Sequence, residues 1–184
     1  HKTEYMKRIF NTSFIVALVA LSTSSFAGNK DRAGQAGANQ LLINPWARSS
    51  GWAGANSASV TGLEATYTNI AGLAFTPKTE IMFANTSWFA GSGINVQSFG
   101  LSQRVGETGV LGLSVQNMNF GDIDITTEDL PEGGIGTFAP KLTTINLGYA
   151  KEFSNSIYGG LGVKVISEGI SNAKASGIAF DMGV

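Results

Sequence analysis

The chain has 184 residues, of which only 14% are Asp, Glu, Lys or Arg, against about 25% in a typical soluble domain. There is no cysteine, so disulfides, thiolate metal sites and cysteine nucleophiles are excluded. The one histidine is His1 and the net charge is −1, which argues against a histidine-based catalytic or zinc site and leaves no basic field for nucleic acid.

The elements follow in chain order. Lys7 and Arg8 come just after Met6, residues 14–21 form an apolar run, and Ser25-Phe26-Ala27 fits a small-x-small cleavage site before Gly28. This pattern reads as a cleavable signal peptide. The run is too short for a membrane-anchoring helix, which needs about 20 residues. Residues 1–5, upstream of Met6, are set aside with the leader, so residues 1–27 form the first unit. The remainder holds no long apolar run, so an exported chain that enters a membrane must do so as strands.

Residues 28–77 are rich in Gly, Ala, Ser and Asn and show no sustained period. Leu41, Leu42, Ile43, Trp46 and Trp52 within them argue against a disordered leader. From residue 78 onward, six strand-like segments recur: 78–90, 93–105, 108–121, 141–153, 156–168 and 174–184. Each is long enough for the 9–11 tilted residues of a membrane β-strand and long for a strand of a soluble domain.

Most of these segments alternate with period two, placing one residue set on each face. Leu111, Leu113 and Val115 oppose Gly112, Ser114 and Gln116. Ile145, Leu147 and Tyr149 oppose Thr144, Asn146, Gly148 and Ala150. Leu161, Val163 and Val165 oppose Gly160, Gly162 and Lys164. Ile178, Phe180 and Met182 oppose Gly177, Ala179 and Asp181. The second face is small or polar, as the interior of a membrane barrel requires. A soluble β-sandwich would need a polar face rich in Lys and Glu, and these strands carry few charges.

The connections agree with that reading. Residues 106–107 and 154–155 form tight turns, 122–140 a long acidic loop, and 169–173 an intermediate one. If the first strand runs outward, both tight turns fall in the periplasm and the long loop outside. Trp88, Phe89, Phe120 and Phe138 then mark the outer rim, and Phe153, Tyr158 and Tyr149 the periplasmic one, as two aromatic girdles. The expected fold class is all-β, an antiparallel transmembrane β-barrel.

The stretch Ala47-Arg48-x-x-Gly51-x-x-Gly54-Ala55, followed by Asn69-Ile70-Ala71-Gly72-Leu73-Ala74, resembles the start of the PorV/PorQ family, a branch of the FadL-like outer-membrane barrels. In that family an Ala-Arg-containing Gly-Gly-Ala stretch precedes an Asn-Pro-Ala-Gly-Leu stretch. Here Ile70 replaces the proline, and Gly51 and Gly54 are spaced rather than adjacent. The motifs cover about 30 residues of the chain. The resemblance implies that residues 28–77 form a hatch folded inside the barrel lumen, with Arg48, Gly51, Gly54, Asn69 and Gly72 as its structural motif. Irregular backbone at membrane depth is tolerated only when enclosed by protein, and Arg48 then needs a luminal carboxylate such as Glu80 or Asp181. The resemblance also implies about fourteen strands, so residues 78–184 are expected to be the first strands of an incomplete barrel and the chain an N-terminal fragment.

Asp122, Asp124, Glu128, Asp129 and Glu132 cluster in the long loop. Thr126, Thr127 and Gly133 break the spacing of a calcium-binding EF-hand, and a solvated external loop is expected. Gly159-Gly160-Leu161-Gly162 lacks phosphate-loop spacing and is expected to mark close packing on the lumen face. No residues point to catalysis or to a cofactor, so a non-catalytic protein of the Gram-negative outer membrane is expected. The resemblance implies a role in type IX secretion, with a translocon or secreted cargo as partner. The alternatives are a FadL-like channel for fatty acids or other hydrophobic small molecules, and a structural or adhesion protein.

Overall fold

The computed structural model describes residues 37–184. The leader over 1–27 and the start of the 28–77 stretch lie outside the described residues. Residues 78 onward build strands β1 (Thr79–Trp88), β2 (Ile94–Val105), β3 (Gly109–Asn119), β4 (Ile123–Asp124), β5 (Thr137–Phe138), β6 (Lys141–Ser154), β7 (Ile157–Ile170) and β8 (Ala173–Gly183). Six of them form one antiparallel sheet in the order β1-β2-β3-β6-β7-β8. The chain is therefore all-β in class, a meander in which each long strand pairs with the next. Among the described residues this sheet is open, with β1 and β8 as its edges.

All six expected segments are strands, with ends within two residues of the expected bounds. One expectation needs correction. The β7–β8 connection is not an intermediate loop but a tight turn at Ser171-Asn172, because both strands run further than their apolar alternation shows. Ser171 takes the left-handed backbone conformation (φ 52°) that this turn demands. Gly106 does the same (φ 70°) between β2 and β3. The long β3–β6 connection is not bare loop either, since β4 and β5 pair within it, Ile123 with Phe138 and Asp124 with Thr137.

The register turns the period-two alternation into two continuous surfaces. On one face, Phe83, Phe99, Val115, Ile145, Val165 and Ile178 stand side by side across all six strands. Ile81, Leu101, Leu113, Leu147, Val163 and Phe180 form the next row. A third row carries Leu111, Tyr149, Leu161 and Met182. These side chains are open to the surroundings: Phe83 is 71% exposed, Phe180 79% and Met182 81%. On the same face the apolar band stops along one polar ladder, Asn85, Gln97, Asn117, Thr143, Ser167 and Ser176, again one residue per strand.

The opposite face is small and polar, and it is the covered one. Ser98, Ser102, Ser114, Gln116, Thr144 and Asn146 are buried there. Their cover is the segment before β1, which folds into a short α-helix, α1 (Ala47–Gly51), and three 3-10 helices, Asn39–Leu42, Gly62–Tyr67 and Ile70–Phe75. The stretch without a sustained period is thus a chain of helices of one or two turns. None reaches the roughly 12 residues at which helices stand alone, so contact with the sheet must hold them. Among the described residues no helix is long and apolar enough to cross a membrane.

Candidate functional site

The covered face divides along the strands. Its turn end lies toward residues 106–108 and 155–156, and its loop end toward the β3–β6 connection. At the turn end, side chains of the 3-10 helices press into a bed of glycines. A Cβ at Gly100 would fall 2.5 Å from Leu63 Cδ2, one at Gly112 2.9 Å from Leu73 Cδ2, and one at Gly148 2.5 Å from Ile70 Cδ1. At Gly160 the obstacle is backbone, with Ile70 C and O both 2.9 Å away. Gly112, Gly148 and Gly162 are direct cross-strand neighbours, so the bed is one trough running across three strands. Leu63, Leu73 and Ile70 are buried in it, each contributing about 2 kcal/mol by leaving water. Val60, Ala65, Ala74, Val110 and Ala150 complete this apolar cluster. The Gly159-Gly160-Leu161-Gly162 run is accordingly a packing element: Gly160 and Gly162 meet Ile70, while Leu161 points to the opposite, exposed face.

Arg104 locks the same end. Its Nε donates to the carbonyls of Thr76 (3.1 Å) and Pro77 (3.0 Å), and its Nη2 to Ala74 (3.1 Å) and Thr76 (2.8 Å). Its Nη1 donates to the Glu107 carbonyl at 3.0 Å. One guanidinium thereby satisfies carbonyls at the end of the Ile70–Phe75 helix, which would otherwise lack partners, and ties them to the β2–β3 turn. Thr76 Oγ1 and Ser102 Oγ, 3.0 Å apart, add a second tie.

The loop end is different. Trp46 is fully buried and its ring meets that of Tyr67 edge-on at 6.5 Å. Around them Ser98, Gln116 and Thr144 form one cross-strand row and Ser114 and Asn146 the next. Asn146 Nδ2 donates to the Thr66 carbonyl (2.7 Å) and Gln116 Nε2 to that of Ile43 (3.4 Å). Yet Trp46 Nε1, Ser98 Oγ, Gln116 Oε1, Thr144 Oγ1 and Asn146 Oδ1 are buried without a protein partner. Buried polar groups of this kind are ordinarily satisfied by ordered water. Burial pushes the Tyr67 phenol up to about 12, so it stays protonated at neutral pH.

The buried charges are paired. Arg48 Nε lies 3.1 Å from Glu64 Oε1. Ser49 Oγ donates to Glu64 Oε2 at 2.5 Å, and Asn56 Nδ2 to Ser49 Oγ at 2.9 Å. The expected partners of Arg48, Glu80 and Asp181, are both otherwise engaged. Glu80 accepts from the Leu63 backbone at 2.8 Å, and Asp181 pairs with the buried Lys164 at 2.5 Å. Lys164 also sits 5.4 Å above the Tyr67 ring. Arg48 therefore pairs with Glu64, the same carboxylate that its neighbour Ser49 binds.

The motif residues of the segment separate into two groups. Asn69 caps the Ile70–Phe75 helix, accepting from Ala71 N at 3.2 Å and donating to the Ser57 carbonyl at 3.1 Å. Gly72 lies directly against the Val60 carbonyl, where no side chain fits. Gly51 and Gly54, by contrast, face open space. Gly54 serves a turn, with φ at 79°. Asp122, Asp124, Glu128, Asp129 and Glu132 are all exposed at the surface of the connection. Among the described residues no group of three or more potential metal ligands converges. Phe89, Phe120 and Phe138 lie at the loop end of the sheet and Phe153 at the turn end, but Trp88 and Tyr158 are not the outward girdle residues expected: Trp88 lines a pocket with Leu42 and Ile43, and Tyr158 stacks on Phe75 at 4.4 Å, because both are in phase with the covered face. Comparison with protein-family models, with curated proteins and with solved structures finds no match to this chain.

Proposed function

We propose that the six strands are wall strands of an outer-membrane β-barrel, and that residues 37–77 are its luminal hatch. The observation that carries this reading is the inversion of the sheet: large apolar side chains are exposed on every strand, while Ser, Thr, Asn, Gln and Gly are covered. A soluble protein rarely exposes an apolar patch of more than a few hundred Å². Lipid accounts for the exposed face, and Phe89 and Phe153, exposed near its two ends, fit interfacial girdles. In the membrane both sheet edges must be paired, because hydrocarbon leaves no partner for free backbone groups. Heat-modifiable migration of the protein in outer-membrane fractions tests the reading. Recovery in the soluble periplasmic extract overturns it.

For the role of such a barrel, the resemblance to the PorV/PorQ family favours type IX secretion. The protein would then act without chemistry, by recognising translocon or cargo proteins. The five carboxylates of the β3–β6 connection give that recognition a surface. Deleting the gene is expected to abolish surface display of secreted proteins. A second reading, uptake of hydrophobic compounds, has one observation in its favour: a cavity of about 400 Å³ beside the hatch, lined by Val60, Phe75, Ile157 and Tyr158 among others. Lost growth on long-chain fatty acids, with secretion intact, would select it.

A further inference from the structure

The outer edge of the apolar band carries two cations that the barrel reading leaves without a role. Lys141 and Lys174 share one cross-strand row with Gly169 between them. Their strands are two spacings apart, about 10 Å. Both side chains are exposed on the apolar face, and neither pairs with a carboxylate among the described residues. Directly beneath them in the ladder stand Thr143, Ser167 and Ser176, and beneath those the apolar rows begin. The row order is thus cation, hydroxyl, hydrocarbon. The two lysines line a groove of about 700 Å³ whose further wall is Phe138 and Ile125 from the β4–β5 hairpin. Glu168 also borders it, but accepts from the Gln40 amide on the covered side at 2.8 Å.

We infer that this groove binds the headgroup of a bisphosphorylated glycolipid of the outer leaflet. The two ammonium groups stand on strands about 10 Å apart, so each can take its own phosphate, and Gly169 leaves the space between them open for a sugar. The hydroxyl ladder supplies partners for sugar hydroxyls, and the apolar rows below receive acyl chains. The inference rests on the membrane reading above.

The test uses the full chain, purified from outer membranes in detergent. Native mass spectrometry then reads retention of three added lipids: the bisphosphorylated glycolipid, its dephosphorylated form and a single-phosphate glycerolipid. The bisphosphorylated form is expected to be preferred. Lys141→Gln and Lys174→Gln are each expected to weaken its retention about fivefold, in line with the usual worth of a basic residue at an anionic surface. Lys151→Gln, on the same face at the turn end, is expected to leave it unchanged. Equal retention by wild type and the double variant, or equal retention of the dephosphorylated or single-phosphate lipid, overturns the inference. Heat modifiability separates the two failures: a heat-modifiable protein without lipid preference sinks the groove alone, while a soluble one sinks both.

Discussion

The two ends of the covered face hold the same segment by opposite means. At the turn end, Leu63, Leu73 and Ile70 fill a glycine trough, and Arg104 closes the helix end above it. At the loop end, Trp46 and Tyr67 cover rows of Ser, Thr, Asn and Gln, several of whose polar atoms lack a protein partner. The first contact is dry and shape-determined. The second is polar, with several groups left for water to partner, so solvent can supply part of what its separation would lose. The difference teaches that residues 37–77 are held by shape at one end and by polar contacts at the other. Residues 37–60 are expected to exchange amide hydrogens faster than 62–76, because local opening follows the weaker contacts.

Four substitutions break or sharpen that contrast, each read as a shift in the denaturation midpoint of the refolded protein in detergent. Gly160→Val should cost the most, about 3 kcal/mol, since its side chain meets the Ile70 backbone, which has nowhere to go. Arg104→Lys should cost about 2 kcal/mol, because an ammonium cannot reach the carbonyls that the planar fork spans. Protease cleavage near residues 74–77 would report the loosened helix end. Glu64→Gln should cost about 1 kcal/mol, as the amide keeps the bond to Ser49 but loses the ion pair with the largely exposed Arg48. Thr144→Val should change stability by no more than about 0.5 kcal/mol, because its hydroxyl has no protein partner to lose. A cost near that of Gly160→Val would show that the loop end is as tightly held as the turn end, and would end the contrast.

Parts of the site are legible in the amino-acid sequence. Asn69 and Gly72 stand out in the motif, and they are the residues with a cap to make and a carbonyl to admit. Gly51 and Gly54 stand out equally and pack against nothing, since a motif does not say which of its glycines is crowded. Arg104 does not stand out, although it carries a signal. It is the one charged residue in phase with Val96, Ser98, Gly100 and Ser102 on the covered face of β2. Phase places a side chain on a face, but its partners, at residues 74–77 and 107, come from a helix end and a turn that the pattern does not describe.

The sequence by itself determined the strands and their two faces. Alternation is a local property: steric rules send successive side chains to opposite sides whatever the chain does later. It likewise set the aromatic ends and the tight turn at Gly106. Only the tertiary structure decided that Arg48 meets Glu64 and that Lys164 meets Asp181. It also decided that residues 37–77 become helical turns seated in a glycine trough. Those outcomes depend on how far the chain returns on itself, and short segments carry no information about distance until the sheet they rest on exists.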